Sequence, residues 1–507
     1  MKFSSQVKSW LKINGSARIF TSNYKSPGYD FEDGGNIPNY TFHALPFLVP
    51  VNPDGSNVYT NAVSSNTPAD GLIAAVNGGK MFSQLKQTQY ITTIGGILTP
   101  AKGWTTGSWN PLTYINHYLY YSHRCKDAKA RAHYDGVARF FRAYFYFEKV
   151  KRFGDVPWYD TPVGSADPAL YKARDSREYV MEKVLEDIDF AIDNLPTAPD
   201  VYNVTKWTAL ALKSRICLFE GTFRKYHGLE GGDEFLQACA AASEKFITSS
   251  PYRDLFSAKN ATSTSKEVIL ARDYDKGQSV VYNINMYALS TTYGMPGVTK
   301  KMVDSYLMAD GTRFTDQPNY GTMGFYMEMQ NRDPRLTQTV RGPKYTRIGG
   351  TETLGPDFAC SHTGYNLTKW VGDASQDGYN NSYNDIILFR SAEVYLNFAE
   401  AKAELGTLTQ SDIDKSIKKL RDRVGMPNLN MEAANLNPDP YLASPVTGYA
   451  NVTGANKGVL LEIRRERAVE LIAEGFRYYD MVRWKEGKRF ENEIEGMYFA
   501  PIKDGKT

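Results

Sequence analysis

The stretch Glu466–Trp484 reads ERAVELIAEGFRYYDMVRW and indicates how this chain is built. Its spacing of apolar and charged residues fits one amphipathic helix, which we predict from Leu461 to Trp484 within the longer run 459–485. The apolar third of this helix consists of Leu461, Ala468, Leu471, Ile472, Gly475, Tyr479 and Val482. The opposite face carries Glu466, Arg467, Glu470, Glu474 and Arg477. Gly475 on the apolar stripe is expected to let a neighbouring helix approach closely, so the stretch favours a mostly helical protein.

Three glutamates one turn apart, Glu466, Glu470 and Glu474, are the best catalytic candidates on this helix. Glycosidases use two carboxylates that flank a substrate, whereas adjacent turns of one helix leave no room for a sugar. The alternating arginines are also expected to keep the carboxylates ionised instead of raising a pKa for acid catalysis. We therefore predict a buried or half-buried set of ion pairs that locks helices together. Along the helix, Arg467 can pair with Glu470 and Glu474 with Arg477.

Outward from this stretch, helical periodicity recurs in several blocks. Long helical periodicity runs over residues 112–153, and helices are also predicted over 176–195, 205–227, 233–248, 390–405 and 411–424. The run 137–150 carries aromatic residues on nearly every face, so its helix is expected to be mostly buried and to be stopped by Gly154–Pro157. Residues 205–227 and 233–248 are predicted to form a helical hairpin, although no regular 34-residue period is visible.

The helix predicted over residues 390–405 has two distinct faces. Its apolar stripe is Ala392, Tyr395, Leu396, Ala399 and Ala403, and its polar face is Glu393, Asn397, Glu400 and Glu404. Residues 1–110 and 249–385 are rich in Gly, Asn, Ser and Thr and are typical of loops. We therefore predict a helical scaffold with two large irregular insertions and few strands. Long insertions of this kind usually carry function.

Composition excludes several classes of function. The 507 residues carry a net charge of +3 without a basic block, which argues against nucleic-acid binding. The sequence contains no run of about eighteen apolar residues, so no membrane span is predicted. The first twenty residues lack the apolar core of a secretory signal peptide. The four cysteines form no CxxC and the six histidines no HExxH, so no metal or cofactor is predicted. Aromatic residues make up 13%, with 35 Tyr, which suits surfaces that bind sugars, although most are expected to fill gaps between helices.

Several segments, taken in order, resemble the SusD/RagB family of nutrient-uptake outer-membrane lipoproteins of Bacteroidetes. The strongest is 466–484, which is similar to the family's ERxxELxxEGxRxxDxxRW motif at each fixed position. Further resemblances are RFFRAYFY and FGDVP within residues 139–157, MVD and DG within 302–311, RDPRL at 332–336, RSAEVYLNFAEA at 390–401 and LRDRVGMP at 420–427. One segment alone would be weak evidence, whereas an ordered set over roughly residues 104–500 is highly specific.

The resemblance implies a mainly α fold in which tetratricopeptide-like helical hairpins support a loop-rich face. It divides the chain into an N-terminal part, residues 1–248, and a C-terminal part, residues 249–507, within one compact unit. It implies a non-enzymatic protein without cofactor that captures glycan, or peptide in RagB-like members, and docks on a SusC-like TonB-dependent transporter at the outer-membrane surface. The family's signal peptide and lipidated cysteine are not visible, and the continuation after Pro501-Ile502-Lys503 is short, so we expect a trimmed chain.

By position in the family, the loop before the first long helix and the second insertion are expected to contact ligand. The candidate glycan-binding residues are Tyr90, Trp104, Trp109, Asn110 and Tyr293. Aromatic faces stack on sugar C–H surfaces, and an Asn side chain can bind hydroxyl groups. Trp109 has an alternative role as a core residue of the first helix. Two rival functions stay open, a helical glycoside hydrolase and a cytosolic tetratricopeptide adaptor for peptides.

Overall fold

Helices dominate the computed structural model, which describes residues 2–8, 11–16, 72–73, 106–164, 167–252, 267–278, 280–291 and 295–499. The helices before residue 250 are α1 Thr106–Tyr121, α2 Ala128–Phe153, α3 Arg177–Asn194, α4 Lys206–His227 and α5 Gly232–Ser249. Short helices follow, namely α6 Ile284–Leu289, α7 Lys300–Ser305, α8 Phe325–Glu328 and α9 Pro334–Thr339. The C-terminal helices are α10 Ser391–Glu404, α11 Gln410–Asp414, α12 Ile417–Arg423, α13 Met431–Leu436, α14 Pro440–Ala443, α15 Lys457–Glu470 and α16 Arg477–Arg483.

The strands are short and pair into two-stranded antiparallel sheets. They are β1 Lys2–Lys8 with β2 Leu11–Ser16, β3 Leu72–Ile73 with β5 Gly297–Val298, and β4 Val268–Arg272 with β6 Ile386–Arg390. The predicted mainly helical class with few strands is confirmed. Within the described ranges, none of the helices combines the length and apolar character needed to cross a membrane.

Local capping explains why several helices begin and end where the sequence predicts. The Ser176 hydroxyl accepts a hydrogen bond from the Tyr179 backbone N–H at the start of α3. Thr205 and Thr208 form a reciprocal capping box at the start of α4. Gly154, with φ +67°, ends α2 in a conformation that glycine adopts without strain. The predicted ends of these helices are confirmed.

The apolar core forms where the hairpins α2–α3 and α4–α5 stack. Phe140, Ile188, Leu212 and Phe246 are fully buried there, and the same cluster continues to Phe389 of β6. Side chains from both sides of the predicted division at residues 248 and 249 therefore pack together. The division into two parts within one unit stays a prediction.

The polar face of α10, which the sequence places opposite the apolar stripe, is buried as well. Every residue of α10 except Lys402 is buried, because arginine and lysine side chains of neighbouring helices pair with its glutamates. Arg215 of α4 lies 2.7 Å from Glu393, and Lys225 lies 2.8 Å from Glu404. The helix is thus central, with one face in apolar contact and the other in ion pairs.

The predicted single helix Leu461–Trp484 is wrong. The chain forms α15 and α16, separated by a turn in which Ala473 and Gly475 have φ of +59° and +83°. At this break, side chains from distant segments donate hydrogen bonds to backbone carbonyl groups. In a continuous helix those carbonyl groups would accept from backbone N–H groups of the helix itself. The Trp370 indole N–H donates to the Ala473 carbonyl at 2.9 Å. The helix predicted over 411–424 is likewise two helices, α11 and α12.

Candidate functional site

Buried ion pairs join α9, β6, α12 and α15. Glu470, 4% exposed, lies 2.6 Å from Arg423, 2.7 Å from Arg390 and 3.2 Å from Arg335. Glu466 lies 2.5 Å from the same Arg335. The contacts of Arg335 connect segments 131 and 135 residues apart in sequence. The predicted set of ion pairs that locks helices together is confirmed, and we call it the ion-pair lattice.

The pairing pattern within the lattice differs from the predicted one. Because the helix breaks after α15, Glu474 turns to Arg390 and to Lys369, at 2.7 and 2.6 Å. Arg467 pairs instead with Asp480 of α16 at 2.9 Å. The predicted pairs between Arg467 and Glu470 and between Glu474 and Arg477 are therefore wrong.

The lattice carboxylates stay ionised. Burial by itself raises the pKa of Glu470, but Arg423, Arg390 and Arg335 outweigh it and hold that pKa well below its ordinary value. For Glu466, burial raises the pKa, but Arg335 and Arg421 lower it more, so the net shift is downward. For Glu474, burial again raises the pKa, and Arg390 and Lys369 outweigh that effect. A general acid needs a raised pKa, so these groups are suited to structural pairing and not to proton donation.

A cleft of about 560 Å³ lies beside the lattice. Its size is typical of small-molecule sites, which span roughly 300–1,000 Å³. The walls come from α9 and the loop after it, from residues 368–376, from 384–385, and from the ends of α12 and α15. Gln338, Lys369, Trp370, Arg390 and Arg423 are among the residues that line it. The second insertion thus contributes most of a concave surface.

Trp370 is an aromatic residue of the cleft wall whose position is fixed by several contacts. It is half-buried and has φ +71°, a left-handed conformation that is a genuine outlier for a bulky side chain. Its indole N–H bonds to Ala473, itself at φ +59°, and the Lys369 ammonium lies 5.7 Å from its ring centroid. These contacts keep the ring at the cleft surface.

Of the residues predicted to contact ligand, Trp109 is the one whose side chain is described. It is partly buried and makes edge-to-face contacts with Phe145, Tyr146 and Tyr159, with ring centroids 5.4, 6.4 and 6.1 Å away. The Lys149 ammonium lies 4.9 Å from its ring. Burial lowers the pKa of Lys149 to about 7, with a further lowering from nearby Arg152.

The other predicted ligand residues are less defined. Asn110 follows Trp109 on α1, and nothing more is described of it. Tyr90, Trp104 and Tyr293 lie outside the described residues. Trp109 is not among the described residues of the cleft wall. The assignment of all five residues to ligand binding stays a prediction.

Sequence reasoning missed Trp370. Trp370 lies in the second insertion, residues 249–385, which the sequence predicts only as irregular. Its hydrogen-bond partner Ala473 is 103 residues away in sequence, so no local pattern marks it. Across the described ranges, no group of three or more His, Cys, Asp or Glu side chains is placed to hold a metal ion.

Comparisons with known proteins cover most of the chain. The SusD family matches residues 266–502, and a second SusD-like family, described as starch-binding and associating with outer membrane, matches residues 59–218. SusD-like protein P38 of Formosa agariphila is 24% identical over 381 residues, which are 72% of this chain and 69% of that protein.

Solved structures share the fold. A SusD-like protein from Bacteroides fragilis superposes with a TM-score of 0.59 at 23% identity, over 77% of this chain and 76% of its own. A SusD-like carbohydrate-binding protein from the same species gives a TM-score of 0.59 at 21% identity, over 76% and 74%.

Proposed function

The chain belongs to the SusD/RagB family, and from this premise we propose that it captures glycan and delivers it to a SusC-like TonB-dependent transporter of the outer membrane. The observation that carries the proposal is the match of residues 59–218 to a family described as starch-binding and associating with outer membrane. We further propose that the protein acts at the cell surface, held by a lipid anchor.

The state of the lattice carboxylates supports binding over hydrolysis. A helical glycoside hydrolase needs one carboxyl group with a raised pKa and a second facing it across a cleft. Glu466, Glu470 and Glu474 instead have lowered pKa values and are held by arginine or lysine. We therefore propose a non-enzymatic role without cofactor.

The glycan contacts are proposed at the residues identified by position in the family, Tyr90, Trp104, Trp109, Asn110 and Tyr293. A sugar ring presents C–H groups that pack on an aromatic face, while its hydroxyl groups need donors and acceptors. For Trp109, the edge-to-face contacts with Phe145 and Tyr146 would hold the indole in one orientation. An ordered ring loses less conformational freedom when it binds.

The test begins with a panel of polysaccharides that includes soluble starch, screened for binding and for release of reducing ends. Trp104→Ala is expected to weaken calorimetric affinity for the bound glycan severalfold without lowering the melting temperature. Tyr326→Ala is a matched control, because Tyr326 is an aromatic residue that is 62% exposed and is not among the residues predicted to contact glycan. Unchanged affinity in Trp104→Ala removes that residue from the site. If the wild-type chain hydrolyses any polysaccharide of the panel, the protein is a hydrolase and the proposal of capture is wrong. Co-purification with a SusC-like transporter tests the proposed delivery.

A further inference from the structure

We propose that the cleft beside the ion-pair lattice is a second saccharide-binding site, with Trp370 as its stacking surface and an uncharged oligosaccharide as its ligand. This inference rests on the proposed glycan binding but concerns a different part of the chain. Among the described residues, the cleft wall shares none with the loop site predicted from family position. The cleft combines an aromatic ring with neutral polar groups and paired charges.

The backbone at Trp370 indicates function. A bulky residue with φ +71° is held against its own preference, and such strained positions are concentrated at ligand sites. Two anchors hold it: the indole N–H bond to Ala473 and the ion pair between its neighbour Lys369 and Glu474. The indole donor is occupied and part of the ring packs against a core cluster, so the ring can offer a ligand only the apolar surface that lines the cleft. An apolar aromatic face at a cleft wall suits the C–H side of a sugar ring.

Neutral hydrogen-bonding groups line the same cleft. Thr337, Gln338 and Thr346 are exposed and line the cleft. The backbone carbonyl of Gln338 accepts a hydrogen bond from the Thr368 hydroxyl at 3.2 Å, and its exposed side-chain amide can donate to and accept from a ligand. A site with one aromatic surface and several uncharged donors and acceptors is complementary to a polyhydroxylated ligand.

The cations of the cleft wall are already neutralised. Arg335 lies 2.7 Å from Asp333, and Lys369 lies 2.6 Å from Glu474. Glu470 lies 2.7 Å from Arg390 and 2.6 Å from Arg423. A sulfate or carboxylate group on a sugar would have to compete with these short, buried pairs, and breaking a buried pair is costly. The charge distribution therefore favours a neutral saccharide over an acidic one.

An ion pair and a hydrogen bond link the two flanks of the cleft. Arg347 forms an ion pair with Asp377 and donates to the carbonyl of Asp373 at 3.1 Å, which ties the loop after α9 to the segment after Trp370. Both flanks of the cleft are thus connected before any ligand arrives. A preformed site loses less free energy to ordering on binding.

Calorimetry with defined probes tests the proposal. The probes are maltohexaose, laminarihexaose, xylohexaose and mannohexaose, with hexagalacturonate as the acidic comparison. Trp370→Ala removes the stacking surface, and Gln338→Trp fills the mouth from an exposed position without removing a buried contact. We expect affinity for at least one neutral hexasaccharide to fall at least tenfold in both variants. Tyr326→Ala serves as the control with wild-type affinity, and Gln338→Trp should keep the wild-type melting temperature.

The outcomes separate this site from the proposed function. Wild-type affinity for all four neutral probes in both Trp370→Ala and Gln338→Trp overturns the second site. If Trp104→Ala alone weakens binding, capture stands and the cleft proposal fails. If Trp370→Ala weakens only hexagalacturonate binding, the assignment to neutral ligands is wrong. If the wild-type chain binds none of these probes and no polysaccharide of the panel, both proposals fail.

Discussion

Replacement of Glu470 by Gln tests whether the ion-pair lattice holds the helices together. The side chain is 4% exposed and contacts Arg335, Arg390 and Arg423. Glutamine keeps the shape but removes the charge, so the buried guanidinium groups of Arg335 and Arg390 and the partly buried one of Arg423 lose a shared counter-charge. Removal of one partner from a buried pair typically costs about 3–5 kcal/mol. We therefore expect Glu470→Gln to lower the free energy of unfolding at pH 7 by about that amount.

Urea unfolding followed by tryptophan fluorescence measures the effect, with the free-energy difference taken from midpoints at a common slope. Glu244→Gln is the matched control, because Glu244 pairs with Lys415 at 2.7 Å while its side chain is 48% exposed. Exposed pairs contribute at most about 1 kcal/mol, so the control should unfold close to the wild type. A Glu470→Gln loss no larger than that of Glu244→Gln would refute the structural role of the lattice.

The pH dependence of the same difference gives a second test. Burial opposed by three arginines leaves the pKa of Glu470 in the folded chain well below its ordinary value, which is about 4.3 in an unfolded chain. A lowered folded pKa means that the stabilisation is fully present above the unfolded pKa and is lost as pH falls through the folded pKa. The difference between wild type and Glu470→Gln should therefore stay constant from pH 7 to about pH 5 and shrink in stronger acid. A difference that grows in acid would contradict this assignment.

Two further predictions concern the backbone and the thiols. Gly475 has φ +83°, a left-handed conformation that alanine adopts only at a cost. Gly475→Ala should therefore lower the free energy of unfolding, measured in urea, by about 1–2 kcal/mol. Stabilisation by about 1 kcal/mol would instead indicate a continuous helix at this position. At pH 8, an aromatic disulfide reagent should label one thiol rapidly, that of Cys125, and four after denaturation. Burial raises the pKa of Cys217 well above its ordinary range, that of Cys239 to about 12 and that of Cys360 to about 11. Rapid labelling of two or more thiols in the native protein would contradict the buried positions of these three residues.

Much of the helical scaffold is predictable from short stretches of sequence. Ser176, Thr205 and Gly154 act on groups within about four residues of themselves, so their effect is readable without the fold. Alternation of Arg and Glu in 466–484 also predicts ionised carboxylates, since the sign of the pKa shift depends only on which charges can come near. The partners themselves were not predictable, because Arg335 and Arg390 are about 130 and 80 residues from Glu470.

Taken by itself, the sequence determined the helical class, most helix ends and the membership indicated by the ordered motifs, because these depend on local capping, periodicity and residue identity. Only the tertiary structure decided that residues 461–484 form two helices, since Trp370, which lies in a distant loop, donates a hydrogen bond to the Ala473 carbonyl at the break. It likewise decided that the acids of α10 are buried and that Trp370 faces a cleft. Each of these features needs two segments brought together, and one-dimensional patterns carry no information on which distant side chain arrives.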